Sequence, residues 1–247
     1  MNCFASDVYL ENIEIGKSDY SYFSEPYRNQ YHLQPFAKWS NDPNALVYHN
    51  GYYHVFYQFH PFGLQWGPMY WGHARSRDLI HFEFLPVCLF PDDGTMGTGA
   101  GEGYMWSGCA VDYKLGMSHD LDALNWFPNN GGNGIYAILT RECPIAQDQL
   151  IITSDDGGMT WTKRRIIPQS LSGVSDRHID WRDPKIFPLR KEGSSVLLWG
   201  MTLSGMNSST GWFLSSTNLL DWEAAGTFKF PRPECVGVGY LMDENNV

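Results

Sequence analysis

Three carboxylates in this chain stand in settings that suit chemistry. Asp42 lies in Trp39-Ser40-Asn41-Asp42-Pro43-Asn44-Ala45-Leu46, Asp183 in Trp181-Arg182-Asp183-Pro184-Lys185-Ile186-Phe187, and Glu234 in Arg232-Pro233-Glu234-Cys235. Asp42 and Asp183 each precede a proline, which biases the acid toward an extended backbone. All three acids are expected at the starts of β-strands, converging on one end of a β architecture. Carboxyl groups gathered in this way can divide covalent and acid/base work. One attacks or stabilises positive charge, while another holds a proton to donate. Singly, each has a blander reading: an Asp before proline commonly closes an Asx-turn, and Arg182 beside Asp183 reads equally well as a structural salt bridge.

The elements that would position these acids are strands. Asn50-Gly51 is a strong two-residue hairpin signal between the apolar runs Ala45–His49 and Tyr52–Phe59. Such a loop sets His49 opposite Tyr52, and an unbroken register then places Asp42 opposite Phe59, next to Gln58. An internal repeat extends the pattern. Ser76-Arg77-Asp78-Leu79-Ile80-His81-Phe82 resembles Ser216-Thr217-Asn218-Leu219-Leu220-Asp221-Trp222, with Ser154-Asp155-Asp156-Gly157-Gly158-Met159-Thr160-Trp161 between them. Each follows a short strand (Met69–Ala74, Gln149–Thr153, Gly211–Leu214) and ends in an aromatic residue. Recurrence at this scale indicates an all-β fold built of propeller blades. Asp42 opens the first unit, the run Met105–Val111 with Ser107 the second, Asp183 the third and Glu234 the fourth. The innermost strands of a propeller surround one central cavity, so the acids are expected to meet there.

Composition narrows the partners. The 247 residues carry a formal charge of −10, which cannot neutralise phosphates and excludes a nucleic-acid partner. No stretch approaches the ~20 apolar residues that span a bilayer. Aromatic residues make up 15% of the chain, enough both to fill β cores and to offer flat faces to sugars. Cys3, Cys88, Cys109, Cys143 and Cys235 form no C-x-x-C pair and read as free thiols. Residues 1–30 are polar and acidic, an expected arm before a propeller domain over 31–247. They contain no apolar signal-peptide core, so a cytoplasmic location is expected, or an extracellular one if the true N-terminus lies upstream. The glycine-rich stretch Gly97–Gly103 lacks the spacing and context of a phosphate loop. His49 and His54 flank the hairpin turn without a suitably spaced third ligand, so neither a metal nor a cofactor is expected.

These motifs resemble glycoside hydrolase family 32, the invertases, inulinases and related β-fructofuranosidases, from about Gln30 to Tyr240. The family's W-x-N-D-P-N-G signature matches Trp39–Ala45, with Ala45 where glycine is usual. Its R-D-P motif matches Arg182-Asp183-Pro184, and its E-C motif matches Glu234-Cys235, here continued by Val236-Gly237-Val238-Gly239 instead of the usual proline. The resemblance implies a five-bladed propeller followed by a β-sandwich. Of this, the present chain is expected to hold about three blades and the start of a fourth, with exposed strand edges through which it could oligomerise. It also implies retaining hydrolysis of terminal β-D-fructofuranosyl bonds in a small carbohydrate, sucrose or an inulin-type fructan. Asp42 would be the nucleophile, Asp183 the transition-state stabiliser and Glu234 the general acid/base. Asn41, Gln58, Trp66, Ser107 and Arg182 match sugar-contacting positions, and Trp106 stands where an aromatic is usual. Glu234 would need a desolvated or acid-crowded place to keep its proton, with Asp183 supplying the crowding. The alternatives are fructosyl transfer on the same site and an inactive carbohydrate-binding remnant. A furanosidase of the arabinan or xylan type is disfavoured by Asn41, Gln58 and Trp66.

Overall fold

The computed structural model describes residues 24, 26–29, 32–35, 37–91, 103–118, 121–174, 176, 179–190 and 197–238. The expected arm over 1–30 and the glycine-rich stretch at 97–103 lie mostly outside these. The described residues form three four-stranded antiparallel sheets, each a meander in chain order. The first holds β1 (Trp39–His49), β2 (Tyr52–His60), β3 (Tyr70–Ser76) and β4 (Phe82–Leu89). The second holds β5 (Tyr104–Tyr113), β6 (Gly134–Cys143), β7 (Ala146–Ser154) and β8 (Thr162–Ile167). The third holds β9 (Arg182–Arg190), β10 (Leu197–Gly205), β11 (Thr210–Ser216) and β12 (Glu223–Lys229). One α-helical turn, α1 (Ala123–Trp126), lies between β5 and β6, capped by the Asp122 side chain accepting from Asn125 N. No described helix is long and apolar enough to cross a membrane.

These sheets are the expected blades. The turn between the third and fourth strand of each carries the same hydrogen bonds. In the first, Ser76 Oγ accepts from Leu79 N at 2.9 Å while Asp78 Oδ1 accepts from Ile80 N and His81 N at 2.9 and 2.8 Å. In the second, Ser154 Oγ accepts from Gly158 N at 2.8 Å and Asp156 Oδ1 from Met159 N and Thr160 N, both at 3.0 Å. In the third, Ser216 Oγ accepts from Leu219 N at 2.9 Å and Asn218 Oδ1 from Leu220 N and Asp221 N at 2.9 and 2.8 Å. Small side-chain acceptors satisfy backbone donors that the turn would otherwise leave unpaired.

Two buried seams join the blades. Ala45, Phe56 and Trp71 of the first pack with Met105, Ala137, Leu139, Leu150 and Ile152 of the second. Tyr136, Ile138 and Ile151 of the second pack with Trp181, Trp199, Met201, Leu203 and Trp212. Held between neighbours, β6 is buried at every position but Glu142, the near-continuous apolar pattern of a strand covered on both faces. Successive innermost strands touch, β1 on β5 and β5 on β9.

The register departs from the expectation in one recurring way. His49 faces Tyr52 through a turn with φ of 49° at Asn50 and 83° at Gly51, as the two-residue loop requires. Asp42 does not face Phe59, however. One register shift falls between Asn44 and Val47, and a second sets Asn41 and Asp42 together against Gln58. The second blade repeats this bulge, with Trp106 and Ser107 against Thr140. The third repeats it again, with Asp183 and Pro184 against Leu203. A bulge puts two residues of one strand against one of its partner and re-aims a side chain, and each innermost strand carries one at its site residues. The expected fourth strand start is also corrected: Glu234 lies in an irregular segment after β12. That segment is tied to β10, where Thr202 Oγ1 donates to Val236 O at 2.9 Å and Val236 N donates to Ser204 Oγ at 3.3 Å.

Candidate active site

All nine residues singled out in the sequence line one cleft of about 300 Å³: Asn41, Asp42, Gln58, Trp66, Trp106, Ser107, Arg182, Asp183 and Glu234. The first blade gives Asn41, Asp42 and Gln58, the second Trp106 and Ser107, the third Arg182 and Asp183. Trp66 comes from the β2–β3 loop. A second cavity of about 190 Å³, lined by the innermost strands and by residues 235–237, shares Asp42, Ser107 and Asp183 with the cleft.

The carboxamides and Asp42 are restrained. Asp42 Oδ2 accepts from Ser107 Oγ at 2.7 Å, a bond between the first two blades. Asn41 Oδ1 accepts from Trp39 Nε1 at 3.0 Å, which leaves its amide NH₂ as the group to offer a ligand. Gln58 is the converse. Its Nε2 donates to Met105 O at 2.8 Å and, with the Asn44 amide turned to present its oxygen, to Asn44 at 2.8 Å. Both amide hydrogens are thereby used, so toward a ligand Gln58 can only accept. The Trp66 and Trp106 rings meet edge to face, 6.1 Å apart at 72°, and form one wall.

Arg182 is the hub of the acids. Its Nη2 lies 3.3 Å from both Glu234 oxygens, its Nε 3.6 Å from Asp183 Oδ2 and its Nη1 3.7 Å from Asp180 Oδ1. Its Cζ sits 5.7 Å from the Trp106 ring centre, so the guanidinium also leans on the aromatic wall. Of the two readings of Arg182, the ion pair with Asp183 is present, and a second one reaches Glu234.

Asp183 is not extended as its proline neighbour predicts. Its φ is 58°, in the left-handed region, and its N–H donates to Thr140 Oγ1 at 2.9 Å. The residue is 9% exposed. Burial foremost, opposed by Arg182 and aided by Glu234 and Asp42, raises its carboxyl pKa to about 7. The crowded carboxyl held protonated near neutrality is thus Asp183, whereas the Glu234 side chain is 46% exposed and open to water. Cys235 places its Sγ 3.8 Å from Asp183 Oδ2. Burial, then the three carboxylates, push that thiol up to about 12, so it stays protonated. Asp183, Glu234 and Cys235 are the one set of carboxylate, thiol and imidazole groups, among the described residues, close enough together to touch a single cation. Arg182 already supplies a positive charge there.

Sequence reasoning missed Asn44, which orients Gln58, and Thr140. Asn44 lay inside the quoted signature. Thr140 showed only as a polar residue in the apolar run of β6. The histidines of the hairpin serve the seam: His49 Nδ1 pairs with Asp112 Oδ1 at 2.7 Å, and His54 Nδ1 with His73 Nε2 at 3.0 Å. Cys88, Cys109, Cys143 and Cys235 are free, as expected.

Known proteins resemble this chain in sequence and in fold. The chain is 41% identical over 214 residues to a levanase of Bacillus subtilis, covering 85% of this chain and 28% of that protein. It is 37% identical over 228 residues to a fructan beta-fructosidase of Streptococcus mutans, covering 92% of this chain and 14% of that one. Among solved structures, an exo-inulinase from Aspergillus awamori superposes with a TM-score of 0.64 at 32% identity, over 83% of this chain and 40% of that one. A fructofuranosidase from Schwanniomyces occidentalis complexed with fructose gives 0.65 at 30% identity, over 82% and 36%. The chain therefore spans well under half the length of these relatives. The family model for the glycosyl hydrolases family 32 N-terminal domain matches residues 32–245, so the chain belongs to that family.

Proposed function

We propose that this chain carries the fructose-binding and catalytic site of a retaining β-fructosidase that releases terminal fructosyl units from fructans and sucrose. The observation that carries this reading is the single cleft shared by three acids, Arg182 and the complementary amides of Asn41 and Gln58. In retaining hydrolysis one carboxylate attacks the anomeric carbon while a second group protonates the leaving oxygen; water, deprotonated by that second group, then displaces the carboxylate from the anomeric carbon. Asp42, oriented by Ser107, is the nucleophile. Glu234, exposed and steered by Arg182, is the acid/base that exchanges its proton with water. Asp183, buried beside both, binds fructose hydroxyls and, in its ionised form, stabilises the positive charge that develops on the ring. The Asn41 amide donates to the sugar, Gln58 accepts from it, and Trp66 and Trp106 wall the ring. The relatives' activities, levanase, fructan beta-fructosidase and exo-inulinase, favour fructans beside sucrose.

The test is fructose release from levan, inulin and sucrose by the chain and by Asp42→Asn and Glu234→Gln. Each substitution is expected to slow turnover by roughly 10²–10⁴-fold with the fold intact. Fructose should first appear as the β-anomer. Unimpaired variants, or an initial α-anomer, would reject the assignment.

A further inference from the structure

The bulge of the second blade sets Thr140 of β6 at the place that Gln58 occupies in the first. Gln58 faces the cleft, but Thr140 does not line it. Thr140 is fully buried, and its side chain is spent on the neighbouring blade. Its Oγ1 accepts from Asp183 N at 2.9 Å and donates to Gln149 Oε1 at 3.0 Å. Gln149 Nε2 donates to Trp181 O at 2.7 Å, and Gln147 Oε1 accepts from Trp181 N at 2.8 Å. Three backbone groups around Arg182 are thus gripped by second-blade side chains, all buried. The conformation so gripped is costly. A left-handed backbone is disfavoured for any residue with a Cβ, and the proline that follows Asp183 pulls toward the extended region. An outlier of this kind persists only where its surroundings over-determine it.

We propose that Thr140 is a positioning residue of the site: its hydroxyl, ordered by Gln149, holds the Asp183 backbone in the left-handed turn that directs the carboxyl inward beside Arg182 and Glu234. Without that acceptor the Asp183 N–H loses its partner, the backbone relaxes toward the extended region, and the carboxyl swings toward water. The catalytic consequence rests on the function proposed above; the positioning itself does not.

The experiment compares the full chain with Thr140→Val, which keeps the shape and removes the acceptor, and Thr140→Ser, which restores it. The primary readout is the titration of the Asp183 carboxyl carbon by NMR, which needs no turnover. The parent and the serine variant should titrate near 7, where burial holds the group. The valine variant should titrate lower, by about one pH unit or more as burial is lost. Where fructose release is measured, kcat/KM should fall by roughly 10–100-fold in Thr140→Val, and Thr140→Ser should recover it. An unshifted midpoint in a folded valine variant would overturn the proposal. If Thr140→Val does not fold, Thr140→Ala takes its place. Failure of both to fold while serine folds would assign the hydroxyl to folding and also overturn it. A shifted midpoint in a chain that releases no fructose would leave the positioning intact and remove the function.

Discussion

At the scale of single residues, the site stores free energy that the fold has to supply. Asp183 is the clearest case. Its pKa of about 7 in the folded chain stands above the 3.8 of an unperturbed carboxyl. Between these values the folded state binds a proton that the unfolded state has lost, so stability falls as pH rises from about 4 to 7 and is level beyond. Asp183→Asn lacks this loss. It is expected to be more stable than the parent at pH 8, on the order of a few kcal/mol, with the advantage shrinking toward pH 4. Urea unfolding at the two pH values measures this, and an advantage that does not grow with pH would contradict the assignment of the raised pKa. Ala45 is a second strained position. It holds a φ of 45° beside the first register shift, and the family signature ordinarily has glycine there. A Cβ in the left-handed region costs about 1–2 kcal/mol, offset in part by the greater chain entropy of glycine. Ala45→Gly relieves this strain but removes a methyl buried in the first seam, so the two effects should nearly cancel, a net change under about 1 kcal/mol, with the cleft unchanged.

At the scale of elements, what the sequence reveals depends on whether local chemistry or tertiary contact decides the geometry. The Ser-x-Asp turns are visible because the same residues that mark them make their hydrogen bonds. Ser154→Ala should therefore cost about 1–2 kcal/mol, since it strips the acceptor from the buried Gly158 N; a neutral effect in thermal unfolding would show that the turn is held by packing instead. The hairpin is visible for a similar reason, since Asn50-Gly51 suits its backbone angles. The bulges have no comparable signature. A bulge uses ordinary residues, so an unbroken register sets Asp42 one residue away from its true partner. Asp183 defeats the proline rule because three side chains from β6 and β7 bind its neighbourhood. The residues that line the cleft were legible because their types and spacing match a family signature. Their support, Thr140 and Asn44, was not, because a buried polar side chain announces itself only through its partners. The seam histidines add a pH dependence of opposite sign. Burial, foremost, lowers His54 to about 4 and holds His73 well below the usual imidazole value, with His49 and Arg75 opposing a charge on His54, and His54 and Arg75 one on His73. The unfolded chain takes up these protons near 6.5, so stability falls as pH drops from 6.5 toward 4. Replacing both His54 and His73 with asparagine should flatten the slope of stability against pH over that range, whatever the change in stability itself.

At the scale of the molecule, the site exists only where blades meet, so its integrity depends on seams away from the chemistry. Each seam is keyed by the third-to-fourth-strand turn of the following blade. Leu219 of the third blade is fully buried, and its carbonyl accepts from Tyr136 OH of the second at 2.5 Å. Gly158 of the second blade fits against the first, where a Cβ would come within 2.4 Å of Phe56 Cζ and 3.3 Å of His73 Cε1. Phe56 cannot retreat, being fully buried and stacked on His73 at 4.2 Å. Gly158→Ala therefore meets two penalties, a left-handed backbone at φ +82° and overpacking of the seam, together about 2–4 kcal/mol. Gly173 separates the two: its φ is +75°, but nothing lies within 4 Å of where a Cβ would stand. Gly173→Ala should show the backbone penalty alone, about 1–2 kcal/mol. The Ser107–Asp42 bond joins the same two blades that the Gly158 contact locks together. Gly158→Ala should therefore also slow fructose release, whereas Gly173→Ala should not. Equal losses of stability and equal turnover in the two variants would mean that the blades are held in register by their innermost strands, and that the turns are not keys at all.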